Sequence, residues 1–214
     1  GLGDVYKRQL EGRYLRRPIS VCDCDARTLT LIYKVVGGGT EQMSRMAAGA
    51  ELDLLTGLGN GFDTSNDARR PLLVGGGVGV PPLYKLAKAL LAEGKPVSVV
   101  LGFNTADEVF YADEFRALGC DVHVATADGS AGTKGFVTTA IAGQGIDFDY
   151  FYACGPLPML RALCDSVAQD GQLSFEERMG CGFGACMGCS CKTKYGNKRI
   201  CKEGPVLTKG EIIW

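Results

Sequence analysis

Histidine is almost absent from this 214-residue chain, and His123 is its single imidazole. A Ser-His-Asp triad, or a zinc or copper site built on histidines, would rest on that one residue. It sits in Asp121-Val122-His123-Val124, an alternating pattern that reads as strand and gives His123 a structural role. Net charge is lacking too: 23 Lys and Arg face 24 Asp and Glu. With no basic field to hold a phosphate backbone, nucleic acid is not an expected partner. Long apolar runs are also missing. The longest stretch without charge, Pro71 to Tyr84, has fourteen residues broken by glycines and prolines, where a membrane span needs roughly 20 apolar residues. The chain does not open on a basic segment followed by an apolar run, so no export signal is read and a cytoplasmic location is expected. It does not begin with Met, and Gly1 to Gln9 show no clear helix or strand period, which reads as an incomplete or altered N-terminus.

Two residue types are in excess. Glycine supplies 31 residues, about twice the usual ~7% share, which predicts loops where backbone closely approaches a ligand. Cysteine supplies ten, five of them between Cys181 and Cys201. That clustering points to metal rather than to the spread of a disulfide framework.

Three segments follow from pattern. In residues 1–68, strand-like runs at Pro18 to Cys22, Thr28 to Val36 and Glu51 to Leu55 surround one helix, about Thr40 to Ala48. These are too few strands to close a barrel, so the segment reads as the later part of a small β domain. The polar run Thr64 to Arg70 suits a linker. Residues 69–175 alternate strand and helix. Pro71 to Gly75, Val97 to Leu101, Asp121 to Thr126, Tyr150 to Cys154 and Gln172 to Phe175 are strands. Pro81 to Ala92, Lys134 to Ala142 and Pro156 to Gln169 are helices, and a capping box at Thr105 to Glu108 opens another that Gly119 ends. This predicts a parallel sheet with ligands at the carboxyl ends of its strands. Residues 176–214 break the alternation and hold the cysteine cluster. The fold class is β plus α/β with a small C-terminal cysteine-rich domain.

Cys181, Cys186 and Cys189 stand as C-x4-C-x2-C, followed by eleven residues and then Cys201. The spacing matches the plant-type 2Fe-2S run, and Gly182, Gly184, Ala185 and Gly188 are small enough for backbone N–H groups to reach sulfur. A structural zinc site is the competing reading, although only one C-x2-C pair is present. Cys191 is set outside the ligands, while Cys22, Cys24, Cys120, Cys154 and Cys164 read mostly as small core residues.

Gly75-Gly76-Gly77-Val78-Gly79-Val80-Pro81-Pro82 joins a strand to a helix whose N-terminus favours phosphate. It is neither G-x-G-x-x-G nor a P-loop, and a glycine-rich crossover without ligand is the alternative. Cys154-Gly155-Pro156 at a later strand end makes a dinucleotide crevice the stronger reading. Arg17-Pro18-Ile19-Ser20 offers a cation and a hydroxyl on a strand, and Gly39-Thr40 opens a helix that Thr40 can cap. Glu41 with Arg45, and Glu176-Glu177-Arg178, read as solvated surface.

Taken in this order, these motifs resemble the electron-transfer subunits of NAD-linked, two-subunit dihydroorotate dehydrogenases, within the ferredoxin-reductase superfamily. The resemblance runs from Arg17 to the C-terminus. It includes Leu31-Ile32-Tyr33-Lys34, Gly57 to Phe62, Glu177 to Cys186 and Cys201-Lys202-Glu203-Gly204-Pro205-Val206. It implies an FAD-binding barrel (1–68), incomplete at the N-terminus, an NAD-binding α/β domain (69–175) and a 2Fe-2S domain (176–214). FAD would be held by Arg17, Pro18, Ile19, Ser20, Ile32, Tyr33, Lys34, Gly39 and Thr40, with Lys34 standing where such subunits often carry Arg. NAD would lie on Gly76, Gly77, Val78, Gly79, Cys154, Gly155 and Pro156, and the cluster on Cys181, Cys186, Cys189 and Cys201. The implied partner is an FMN-containing catalytic subunit, two of each subunit in the complex. Reductases serving sulfide, sulfite or NADPH-ferredoxin enzymes share the pattern, and a non-enzymatic iron-sulfur carrier is the reading from another class.

Overall fold

A computed structural model describes residues 5–10 and 13–214, with side chains from Leu15 onward. The first segment forms β1 (Val5–Leu10), β2 (Arg13–Cys24), β3 (Leu29–Leu31), α1 (Gly38–Ser44) and β4 (Leu54–Leu58). Its strands make one antiparallel sheet in the order β3-β2-β1-β4. Ile19 and Met43 are its buried apolar centre, with Leu31 and Tyr33 packed against them.

Several expected boundaries move. A strand lies where Gly1 to Gln9 show no period, because β1 is defined by its ladders to β2 and β4; residues 1–4 lie outside the described part. The strand expected over Thr28–Val36 keeps a ladder only at Leu29–Leu31, leaving Val35 and Val36 exposed. The helix expected over Thr40–Ala48 runs Gly38–Ser44, and Ser44 Oγ donates back to Glu41 O at its end. The strand expected over Glu51–Leu55 is shifted to Leu54–Leu58 by its pairing with β1, and Asp53 instead accepts from the Arg16 guanidinium.

The second segment continues as β5 (Pro71–Gly76), α2 (Pro81–Ala92), β6 (Ser98–Phe103), α3 (Ala112–Leu118), β7 (Asp121–Thr126), β8 (Thr133–Lys134), α4 (Val137–Gln144), β9 (Tyr150–Cys154), α5 (Leu157–Ser166) and β10 (Gly171–Ser174). The last segment adds β11 (Ser190–Thr193), β12 (Gly196–Arg199) and β13 (Val206–Thr208). The large sheet runs β13-β10-β9-β5-β6-β7-β8, parallel from β10 to β8, with β13 antiparallel on its edge. Leu72 and Val74 of β5 face a core shared with Val137, Ala140, Leu160 and Leu163, so α4 and α5 cover that side. Leu73 faces Leu83, Leu86, Leu90 and Phe115, so α2 and α3 cover the other. The helical period of α2 puts Leu83, Leu86, Ala87 and Leu90 inward, and Pro81 and Pro82 start it without losing a hydrogen bond.

The expected capping box does not open α3. Glu108 instead accepts from the Asn104 N–H and side-chain amide, while Phe110 and Tyr111 pack on Phe103 and Tyr84. The helix starts after Tyr111, which is left-handed at φ 64°, and ends at Gly119 as expected. The two large segments meet where β2 crosses α2: Lys88 pairs with Asp23 at 2.7 Å, and Lys85 Nζ contacts Cys24 Sγ. Among the described residues, no helix is long and apolar enough to cross a membrane.

Candidate functional site

The four spaced cysteines come together as two pairs. The N–H groups of Ala185 and Cys186 donate to Cys181 Sγ at 3.3 and 3.4 Å, and the Cys181 N–H points to Cys186 Sγ at 3.5 Å. The Cys201 N–H donates to Cys189 Sγ at 3.4 Å. The turn that aims these amides needs Gly184 at φ +90°, where a Cβ would also fall 2.6 Å from Lys202 Cδ. The N–H of Cys186, followed by those of Phe183 and Ala185, holds the Cys181 thiol down to about 6, which favours the thiolate that iron requires. Burial, with the Cys189 sulfur alongside, raises Cys201 to about 11. Two pairs suit a two-iron cluster, each iron taking two thiolates. A tetrahedral zinc site instead takes all its ligands around one ion. Cys191 packs against the core under α5, outside both pairs.

The two pairs differ in exposure. Cys186 is exposed and Cys181 half-buried, with Phe183 and Met187 exposed beside them. Cys189 and Cys201 are each 2% exposed. Beyond Cys201 the chain turns through Gly204, whose carbonyl accepts the Asn60 N–H at 2.5 Å, so the buried side of the cysteine site abuts the end of β4. Sequence reading singled out the Gly57–Phe62 run without finding this contact.

In the large sheet the chain leaves β5 for β6 on one side and returns to pair β9 on the other, which puts a switch point between β5 and β9. Gly76 and Gly79 meet Cys154, Gly155 and Pro156 there, while Gly77 and Val78 lie between them in the turn, with nothing within 4 Å of a Cβ placed on Gly77. A Cβ on Gly79 would stand 2.2 Å from Cys154 O, and one on Gly155 3.1 Å from Gly76 N, so the two turns pack backbone to backbone. Val78 is exposed on its rim. Cys154 is buried, and that burial pushes its thiol up to about 12, so it packs as a neutral group. Met159, which sequence reading missed, lies against both Gly76 and Gly155.

On the β domain, the Arg17 guanidinium lies so close to Gly39 that a Cβ there would be 2.2 Å from Nε. Thr40 does not cap α1 through the N-cap position. It is the third helical residue, and its hydroxyl accepts from the N–H groups of Val36 and Gly37 at 2.9 and 3.2 Å. Arg17, Gly39 and Thr40 therefore share one corner at the first turn of α1, where the Thr40 hydroxyl also donates to Gly37 O at 3.0 Å. Pro18 is exposed and Ser20 half-buried on β2, whereas Ile19 is taken up by the core. Ile32, Tyr33 and Lys34 follow β3 in the stretch that leads to this corner. Lys34 reaches Glu108 of the other segment at 3.8 Å. His123 stays apart from all three sites, with Asp121 at 3.1 Å.

An antiparallel β domain, a parallel nucleotide-type sheet and a two-pair cysteine loop define the class as a ferredoxin-reductase-like oxidoreductase with an iron-sulfur segment. Residues 176–213 match the iron-sulfur cluster binding domain of dihydroorotate dehydrogenase B, and residues 73–165 an oxidoreductase NAD-binding domain. The dihydroorotate dehydrogenase B (NAD(+)) electron transfer subunit of Geobacillus sp. (strain WCH70) is 50% identical over 208 residues, 93% of this chain and 80% of that one. The counterpart from Fusobacterium nucleatum subsp. nucleatum is 47% identical, over 92% and 80%. The structure described as an NADH-dependent reduced ferredoxin-NADP oxidoreductase superposes with a TM-score of 0.89 at 32% identity, covering all of this chain and 79% of that one. This chain belongs to the family of dihydroorotate dehydrogenase B electron transfer subunits. It carries iron-sulfur and NAD-binding domains on a ferredoxin-reductase fold, a fold that binds FAD.

Proposed function

We propose that this chain passes electrons between NAD and an FMN-containing catalytic subunit that converts dihydroorotate to orotate, in a cytoplasmic complex with two copies of each subunit. Nicotinamide exchanges electrons as a hydride pair and a 2Fe-2S cluster one at a time, and a flavin converts between the two. The observation that carries the reading is the two-sided cysteine site. Its Cys181–Cys186 side is open, flanked by exposed Phe183 and Met187, and its Cys189–Cys201 side is buried and joined through Gly204 to Asn60. The open side suits a partner's surface, and the buried side leads into the chain.

Cys181, Cys186, Cys189 and Cys201 hold the cluster as thiolates. Arg17 and the first turn of α1, from Gly39 to Thr40, bind the flavin's diphosphate; Pro18, Ile19, Ser20, Ile32, Tyr33 and Lys34 line the rest of its seat. Gly76 to Gly79 and Cys154 to Pro156 let the nicotinamide dinucleotide approach backbone at the switch point. No described residue is assigned to oxidise dihydroorotate, and that chemistry is left to the partner.

The test uses the chain co-purified anaerobically with a catalytic subunit shown to be competent alone. Dihydroorotate should then reduce NAD, while this chain alone should pass electrons from NADH to an artificial acceptor and form no orotate. NADH oxidation without any response to dihydroorotate in the complex would overturn the partner assignment and favour the NADPH-ferredoxin reading, which the 32% identical structure supports.

A further inference from the structure

We infer that Arg199 is the positioning residue of the cluster loop, and that its cation, counterbalanced by Glu203, sets the reduction potential of the cluster. The inference rests on the assignment of Cys181, Cys186, Cys189 and Cys201 as ligands. Arg199 touches the segments that carry all four. Its Nη1 donates to Gly184 O at 2.6 Å, inside the Cys181–Cys186 loop. Its backbone pairs with Ser190 across the β11–β12 hairpin, next to Cys189, and the following Ile200 N–H donates to Cys189 O at 3.0 Å. Its own carbonyl accepts the N–H groups of Lys202, Glu203 and Gly204 at 3.0, 2.8 and 3.2 Å, closing the turn that presents Cys201.

The side chain is held as firmly as the backbone. Glu203 Oε2 accepts from Arg199 Nε at 2.9 Å and from the Arg199 N–H at 2.8 Å, and Glu203 Oε1 takes Nη2. This forked geometry is available to arginine and not to lysine. The Arg199 side chain is only 24% exposed and the Glu203 side chain 33%, so water screens the pair less than a surface one. The guanidinium, bonded to Gly184 O, stands against the loop between Cys181 and Cys186, and Arg199 is two residues from Cys201 along the chain. A 2Fe-2S cluster gains one negative charge when it takes up an electron, so a fixed cation favours the reduced form and a fixed anion opposes it.

Opposite charges therefore predict opposite shifts. In the anaerobic complex, iron and sulfide per chain, the spectrum of the reduced cluster by electron paramagnetic resonance and its midpoint potential are measured for wild type, Arg199→Gln, Arg199→Lys and Glu203→Gln. Arg199→Gln should move the equilibrium about tenfold toward the oxidised form, 59 mV for one electron. Glu203→Gln should move it the other way, and Arg199→Lys, which keeps the charge, should stay near wild type in potential. An unmoved potential in Arg199→Gln at full iron content overturns the inference, as do shifts of the same sign in Arg199→Gln and Glu203→Gln. Should Arg199→Gln fail to assemble a cluster, Glu203→Gln decides: a raised potential supports the inference and an unchanged one overturns it. Wild type without a 2Fe-2S spectrum would instead overturn the ligand assignment.

Discussion

Gly79→Ala tests the nucleotide crevice with one methyl group. The new Cβ would stand 2.2 Å from Cys154 O, 2.4 Å from Cys154 C and 2.6 Å from Gly155 N. All three are backbone atoms, so no side-chain rotation relieves them. Reaching ordinary contact requires the turn after β9 to withdraw from the turn after β5 by roughly 1 Å, given carbon contact distances of about 3.5 Å. Overpacking of this kind costs about 1–3 kcal/mol of stability, or roughly 2–4 °C in Tm for each kcal/mol in a chain of this size. Because the displaced turns are those assigned to the dinucleotide, NADH turnover should fall more than stability does. A misplacement of about 1 Å can cost ~100-fold in rate. The assay pairs thermal unfolding with NADH titration and steady-state reduction of an artificial acceptor. Gly143→Ala is the control: its Cβ, near the end of α4, meets nothing within 4 Å, and it should stabilise by about 0.5–1 kcal/mol with unchanged NADH kinetics. Wild-type NADH affinity and turnover in Gly79→Ala would refute the placement of the dinucleotide at this switch point.

Cys186→Ser removes a proposed ligand from the exposed pair; electron passage to the proposed catalytic subunit should be lost while NADH still reduces an artificial acceptor, with the iron count falling in parallel. Tyr152→Phe deletes a hydroxyl that accepts from Asn66 Nδ2 at 2.8 Å, and should cost about 1 kcal/mol in denaturant unfolding while leaving NADH kinetics intact. Burial pushes the Glu211 carboxyl up, but the Lys198 ammonium and the Thr208 N–H outweigh it and hold it below the usual carboxylate range. A depressed carboxylate contributes stability that is present above its unfolded value, near 4.5, and is lost as pH falls through the lower folded value. Acid unfolding of the β11–β12 hairpin should therefore begin below about pH 4.5 in wild type and lose this component in Glu211→Gln, as followed by hydrogen exchange.

The α/β half was legible because its signals are local. Leu83, Leu86, Ala87 and Leu90 declare one helix face within a few residues, and Gly119 ends α3 through its own backbone freedom. The cysteine spacing was legible for the same reason, since the loop's own amides complete it. β1 and β4 were not, because their limits depend on which strands pair, and neither Lys7↔Leu55 nor Val5↔Leu58 leaves a trace in hydrophobic period. The start of α3 was misread because Glu108, three residues after Thr105, satisfies Asn104 instead of a helix end. Arg199 and Glu203 flank Cys201 at an i, i+4 spacing. That pair was the available signal for the loop's anchor, and it looks like any surface ion pair until Gly184 is seen beneath it.

The cysteine-rich segment is not a bead hung on the end of the chain. After Cys201 it crosses the β-domain side at Asn60, then lays β13 along β10 with the register Gln172↔Thr208 and Ser174↔Val206. Leu207 and Ile212 enter the same core as Leu160 and Leu163. Three attachments within a dozen residues fix the loop against both larger segments at once, which electron transfer over a set distance requires and a flexible tether could not supply. The same stitching has a thermodynamic consequence: loss of the segment would bare the β10 edge and part of the α4–α5 core, so the α/β sheet depends on it for stability as well as for redox reach.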